Sequence, residues 1–166
     1  WWSIGVVIWS AAGKTHVDRT GATDHTSKIC GLYPKRLWSA IYGKAVKELR
    51  QRDIEVITHI ILGLPRETVA DMVETVRYVC SSGATGIKLQ LLHVLRGTDL
   101  ADDYAVGRFK ALTEDEYIEI LKACAKIIPE NVVVHRLTGD GDKKILIAPK
   151  WSGNKKQAWN CRTVDC

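Results

Sequence analysis

The chain has 166 residues, 46% of them hydrophobic, which fits one domain with a core of ordinary size. No apolar run approaches the roughly 20 residues of a membrane span, and Trp1 to Trp9 is too short and lacks a basic flank for a signal peptide, so a soluble, cytoplasmic protein is expected. The net charge of +5 gathers in residues 143–166, where Lys143, Lys144, Lys150, Lys155, Lys156 and Arg162 face Asp165 alone.

In chain order, Trp1 to Trp9 reads as a strand. Residues 10–34 are rich in Gly, Thr, Ser, Asp and His without periodicity and read as a long loop. Leu37, Ile41, Ala45 and Leu49 mark an amphipathic helix ending near Arg52. Residues 54–62 are β-branched with little alternation, as in a parallel strand covered on both faces. A helix is expected over 67–81, with Val69, Met72, Val73, Val76 and Cys80 at helical spacing and Gly83 as its left-handed cap. Gly86 to Leu92 is the next strand, and His93 to Ala111 reads as a polar loop. Thr113-x-x-Glu116 is a capping box for a helix through about Ile127. Val132 to Arg136 and Lys144 to Ile147 read as two short strands joined by the Gly139-Asp140-Gly141-Asp142 turn. That turn has the opening of a calcium loop without its later Glu, so a tight turn explains it.

This order gives an α/β fold: a partial (β/α) barrel of about three βα units with parallel strands, plus a short C-terminal strand pair. Residues 1–149 form the half barrel, with 8–36 irregular, and 150–166 form a basic, Trp-containing tail. Half a barrel leaves a strand edge bare. Self-association through that open edge, or a partner chain, is the expected consequence.

Three stretches carry a resemblance. They are Thr58-His59-Ile60-Ile61-Leu62-Gly63-Leu64-Pro65-Arg66-Glu67-Thr68, Gly86-Ile87-Lys88-Leu89-Gln90-Leu91-Leu92-His93-Val94-Leu95-Arg96-Gly97-Thr98, and His135-Arg136-Leu137-Thr138-Gly139-Asp140-Gly141. Together they resemble the C-terminal half of a radical S-adenosylmethionine (SAM) protein, in particular uncharacterised bacterial members with an Elp3-like core. The resemblance runs from about Lys44 to Asn154.

The resemblance implies a complete enzyme that reduces SAM at a four-iron four-sulfur cluster, giving a 5'-deoxyadenosyl radical. It assigns the adenine side of the cofactor to Ile61, Gly63, Leu64 and Pro65, with Glu67 as the motif's acid and Leu91, Leu92 and His93 on the next strand end. A helix-start role alone also explains Glu67. His59, His135 and Arg136 are candidates for the substrate side, where two imidazoles and a guanidinium would hold an anion or move a proton. Core histidines bonded to backbone groups are the plainer reading. An Elp3-like core makes RNA a candidate substrate, and Trp151 and Trp159 in the basic tail would stack on bases; docking of those rings on the barrel is the alternative.

The family's CxxxCxxC cluster motif is absent from this sequence, as is its strand-two GGE-type motif. Ser3 and Val7 stand where the family usually has a carboxylate and a Gln. Cysteines lie at 30, 80, 124, 161 and 166 in no zinc spacing, so no metal site is assigned. Cys80 and Cys124 fall on apolar helix faces and read as packing residues, and the unpaired set suits a reducing compartment. The chain alone therefore reads as inactive, with neither SAM nor cluster assigned to it in isolation, and its partner is the missing N-terminal barrel half or another chain. A non-catalytic barrel fragment acting through a protein partner is the alternative. A lesser one is nucleotide binding at Ala11-Ala12-Gly13-Lys14-Thr15, which imitates the end of a phosphate loop but has Ile8 where the first Gly belongs.

Overall fold

The computed structural model describes residues 4–9, 35–139 and 141–153, with side-chain environments from Ala40 onward. The elements are β1 (Ile4–Trp9), α1 (Lys35–Arg50), β2 (Glu55–Leu62), α2 (Val69–Ser81), β3 (Gly86–Leu91), β4 (Val94–Leu95), α3 (Asp99–Ala105), α4 (Glu114–Ala125), β5 (Val133–Arg136), β6 (Leu146–Ala148) and a 3₁₀ turn at Lys150–Gly153.

The main sheet has the order β1-β2-β3-β5. β2, β3 and β5 run parallel, joined by crossovers through α2 and through the segment containing α4. This is the α/β fold with parallel strands that the sequence implies. One side of these strands is apolar and sealed: Val56, Ile60 and Leu62 of β2 and Ile87, Leu89 and Leu91 of β3 are at most 3% exposed. They pack with Tyr42 and Val46 of α1, Met72, Val76 and Val79 of α2, and Tyr117, Ile120 and Cys124 of α4. Removing this much apolar surface from water is the main favourable term in folding. Thr58 sits in the same layer at 0% exposure, where its hydroxyl is matched by the Tyr42 hydroxyl at 2.7 Å. Burial pushes the Tyr42 phenol up to about 12.

Local signals set the helix boundaries. α2 begins at Val69 because Thr68 is its N-cap, in a reciprocal capping box with Asp71. Glu67 consequently lies before the cap rather than in the first turn, and Asp71 is the acid that faces the helix dipole. The Thr113/Glu116 box caps α4 as expected. Cys124 is buried and Cys80 half-buried, both among apolar neighbours that raise their thiols above the usual range, which bears out their reading as packing residues.

Three expectations about connections are corrected. β1 is antiparallel to β2, so α1 is not the crossover of a parallel βαβ unit. Residues 93–111 are not all loop: β4 lies within them, and Thr98 caps the short helix α3. The strands at 133–136 and 146–148 do not pair with each other. β5 joins the main sheet beside β3, and β6 pairs antiparallel with β4, making a two-stranded sheet. Trp151 docks on the body of the fold, its indole N–H donating to the Leu112 carbonyl at 3.0 Å and its ring 5.8 Å from that of Tyr117.

Candidate functional site: strand ends and the open sheet face

Parallel strands bring their C-terminal ends to one rim, and in such folds the loops leaving that rim carry ligands. At the end of β2, Gly63 has φ 89 and its N–H reaches the Met72 sulfur at 3.1 Å. The place a side chain would take at Gly63 is filled by Leu112, whose Cδ1 would lie 2.6 Å from a Cβ there. Leu64-Pro65-Arg66-Glu67 then closes a turn through the Glu67 N–H to the Leu64 carbonyl at 3.1 Å. Arg66 occupies the turn's third position with φ 68, a left-handed conformation that costs a non-glycine residue about 1–2 kcal/mol.

The β3 end continues the rim. The Leu92 N–H donates to the Leu62 carbonyl at 3.0 Å, tying the two strand ends together. Leu91 turns its side chain into the helix layer and offers only backbone to the rim. His93 is held from two sides. Side chains at Gly139 and Gly141 would meet its ring at 3.2 and 3.0 Å, and its Nε2 lies 3.1 Å from the Ser152 hydroxyl. That hydroxyl donates to the Pro149 carbonyl at 2.8 Å, so His93 Nε2 is the donor to Ser152 and carries the ring proton.

The side of the sheet opposite the helices is different in character. Alternation places Ile57, His59 and Ile61 of β2 there, with Gly86, Lys88 and Gln90 of β3. His59, Lys88 and Arg136 are successive register partners across β2, β3 and β5. They therefore form one row, with neighbouring strands about 4.8 Å apart. The Gln90 amide nitrogen lies 3.4 Å from His59 Nδ1. Desolvation first, then the Lys88 and Arg136 charges, lower the His59 imidazole to about 4, so it is neutral near pH 7. His135 falls at a register irregularity and rests on Gly86, where a Cβ would be 2.6 Å from its Nε2.

The fold thus brings Ile61, Gly63, Leu64, Pro65, Glu67, Leu92 and His93 to the rim region, and puts His59, Arg136 and the His135 ring over Gly86 on the face of the sheet opposite the helices. Lys88 and Gln90 complete that row and were missed by sequence reasoning, although the alternation Gly86, Lys88, Gln90 against Ile87, Leu89, Leu91 exposes them as the polar side of β3. Ser3, the Ala11–Thr15 segment, Cys30, Asp140, Trp159, Cys161 and Cys166 lie outside the described residues, and so does the Val7 side chain.

Residues 84–162 match the radical SAM C-terminal domain. The chain carries a radical SAM-like C-terminal domain. It is 41% identical over 114 residues to the uncharacterized protein YtqA of Bacillus subtilis, covering 69% of this chain and 35% of YtqA. It is 31% identical over 116 residues to the protein YhcC of Escherichia coli K12, covering 70% of this chain and 38% of YhcC. In fold it is similar to the archaeal Elp3 of Methanocaldococcus infernus with an N-terminal deletion, at TM-score 0.58 and 22% identity, over 64% of this chain and 26% of that one. The chain thus spans little more than a third of the curated relatives it matches.

Complete radical SAM enzymes hold SAM and a four-iron four-sulfur cluster, and the radical SAM-like domain meets these two groups differently. A cluster of this kind is held by cysteine thiolates. The described cysteines, Cys80 and Cys124, are sunk in the helix layer, and no group of three His, Cys, Asp or Glu suited to a metal occurs among the described residues. The cluster does not fit the described residues. The SAM adenosyl moiety needs a rim of backbone and apolar side chains, and Ile61, Leu64, Pro65 and Leu92 offer one. No described helix is long and apolar enough to cross a membrane.

Proposed function

We propose that this chain forms one wall of a radical SAM active site, with the β2 and β3 ends on the adenine side of SAM and the open sheet face on the substrate side. The observation that carries the reading is the His59–Lys88–Arg136 row. His59 and Lys88 are partly buried and Arg136 is exposed, so the face of the parallel strands opposite the helices carries a polar row near the strand-end rim in place of a second apolar layer. Cluster cysteines must then come from outside this sequence, since it lacks CxxxCxxC. When bound, SAM and the cluster supply the radical. The residues of this chain position the adenosyl group, hold the substrate and exclude water.

Titration of SAM into the chain tests the rim. Saturable binding that Leu92→Asp weakens by roughly ten-fold is expected, the effect of one lost apolar contact replaced by a charge. Equal heats for both proteins, or no saturation, would remove the adenine-side role.

A second reading, a non-catalytic fragment that docks on a protein partner, is favoured by one observation. Antiparallel β1 takes the β2 edge that a parallel neighbour would need in a closed (β/α) barrel. Anaerobic reconstitution with iron and sulfide, in the presence of the N-terminal half of a relative such as YtqA, separates the two readings. Cluster uptake and SAM cleavage by the pair favour the enzyme wall, and failure of the halves to associate favours the fragment.

A further inference from the structure

We infer that the 3₁₀ turn Lys150–Gly153 is a clasp for the rim, in which Trp151 and Ser152 are positioning residues that hold three strand ends in the arrangement SAM meets. The inference rests on the adenine-side reading proposed above for its ligand, whereas the clasp itself stands on contacts.

A parallel ladder fixes its strands only as far as it runs. The β3–β5 ladder ends at Lys88 and Arg136, and β2 and β3 are joined beyond their own ladder by the single Leu92-to-Leu62 hydrogen bond. What leaves the strand ends is therefore fixed by side chains from elsewhere, and the turn at 150–153 supplies them.

Trp151 reaches two of the three ends. Its indole N–H donates to the Leu112 carbonyl at 3.0 Å. The Leu112 side chain fills the space beside Gly63, with Cδ1 2.6 Å and Cγ 3.1 Å from where a Cβ would lie, and the Leu92 Cβ is 4.0 Å from the same point. Holding the Leu112 backbone thus holds its side chain against the turn that leaves β2. The Trp151 ring lies 5.8 Å from that of Tyr117, whose hydroxyl donates at 2.8 Å to the carbonyl of Leu137, the residue that follows β5. Ser152 reaches the third end. Its hydroxyl accepts from Nε2 of His93, two residues beyond β3, at 3.1 Å and donates to the Pro149 carbonyl at 2.8 Å.

Burial of an aromatic ring accounts for Trp151 against Tyr117, but the two polar contacts are directional and carry more information. An indole has one donor and a serine hydroxyl donates once, and both donors are committed here. Each of these polar side chains bonds a residue that packs on a strand end or continues one. The rim they brace, Ile61, Leu64, Pro65 and Leu92, is apolar and offers no charge to orient a ligand. A site of that kind depends on being held in its bound geometry beforehand, so loosening the clasp weakens binding without removing any group that touches the ligand.

The test is a titration of SAM into the intact chain, carrying ¹⁵N-labelled tryptophan, and into four variants. Trp151→Phe keeps a ring beside Tyr117 and removes the donor, Ser152→Ala removes the hydroxyl, Ser152→Thr keeps it, and Lys150→Gln takes an exposed charge from the same turn. Trp151→Phe and Ser152→Ala should each weaken SAM roughly three- to ten-fold, the equivalent of one hydrogen bond, while Ser152→Thr stays within about two-fold of the unaltered chain and Lys150→Gln matches it. SAM should also move the Trp151 indole N–H signal saturably, although that ring does not touch the ligand; loss of the signal in Trp151→Phe assigns it. Circular dichroism confirms the fold of each variant, and if Trp151→Phe unfolds, the Ser152 pair and the indole signal decide alone. Undiminished affinity in either folded variant, an indole signal unmoved at SAM saturation, or an equal loss in Lys150→Gln overturns the clasp and leaves the adenine-side reading standing. Absence of saturable SAM binding to the unaltered chain removes that reading and the inference with it.

Discussion

The two sides of the three-stranded parallel core use the same backbone for opposite purposes. On the helix side Val56, Thr58, Ile60, Leu62, Ile87, Leu89 and Leu91 are nearly sealed, and the single hydroxyl among them is matched by Tyr42. On the other side the same strands present His59, Lys88, Gln90 and Arg136, with His59 Nε2 sealed and without a hydrogen-bond partner among the described residues. Strand alternation makes this division of labour available to any sheet, because adjacent residues face opposite ways. Stability and ligand chemistry are therefore separable here at the level of neighbouring residues: Leu89 and Lys88 are one peptide apart.

The largest test of that separation is Leu89→Ala. Leu89 is 0% exposed in the layer between β3 and the helices. Its truncation should cost about 2–5 kcal/mol in urea unfolding, through lost burial and the cavity left behind. Lys88→Gln should change stability by less than about 0.5 kcal/mol, as a half-exposed substitution away from the core. Comparable losses for the two variants would show that the open side is also structural.

At the rim between the two sides, Gly63→Ala comes next, at about 2–4 kcal/mol. It combines a left-handed φ of 89 with a Cβ 2.6 Å from Leu112 Cδ1. In a Leu112→Ala background the steric part should vanish, leaving about 1–2 kcal/mol for the backbone. A cycle with no coupling would mean that Leu112 does not occupy the glycine's side-chain space.

How far the sequence foretold these features depends on whether the cause was local. The Thr113/Glu116 box, the β-branched run of β2 and the helical stripe of α2 are short-range signals, and each element formed where its signal lay. Glu67 precedes an apolar stripe and so reads as helical, yet the reciprocal Thr68/Asp71 box one residue on sets the boundary. Pairing was much less legible. Nothing in Val94-Leu95 or Leu146-Ile147-Ala148 says that they pair across some fifty residues, or that Val133–Arg136 prefers β3 as a neighbour. Of the site, His59 and Arg136 stood out as isolated polar groups in apolar strands. Lys88 and Gln90 belong to a period-two pattern that the apolar Leu91-Leu92 pair cuts short, so their shared face shows only once the strands are paired. His93 was legible as a rim residue, but its anchoring by Ser152 and the Gly139 and Gly141 backbone depends on a long-range contact that no local pattern announces.

A smaller effect probes the Tyr42–Thr58 hydroxyl pair of the helix side. Tyr42→Phe removes the partner of the buried Thr58 hydroxyl and should destabilise by about 1–3 kcal/mol, the range for stranding a buried polar group. Adding Thr58→Val to the Tyr42→Phe variant, which replaces that hydroxyl by a methyl, should recover part of the loss. Failure of the second substitution to recover anything would place the cost of the first in ring packing rather than in the hydroxyl.

The smallest expected effect belongs to the open side and is a pH dependence. His59 titrates at about 4 in the folded chain against 6.5 for the free side chain, because desolvation and then the Lys88 and Arg136 charges oppose its protonation. Between these values the unfolded chain binds a proton that the folded chain refuses, so stability rises with pH across that window and falls as pH drops from 6.5 toward 4. Below about 4 both states are protonated at this group and it adds no further loss. The ring is only partly buried, so solvent screening reduces the full linkage, and about 1 kcal/mol across the window is expected. Urea midpoints between about pH 7 and pH 4 for the parent chain and for His59→Gln measure it: the variant should show a flatter decline. A slope that survives His59→Gln would assign the acid sensitivity to carboxylates elsewhere, and would detach the histidine from the Lys88 and Arg136 charges that otherwise oppose its protonation.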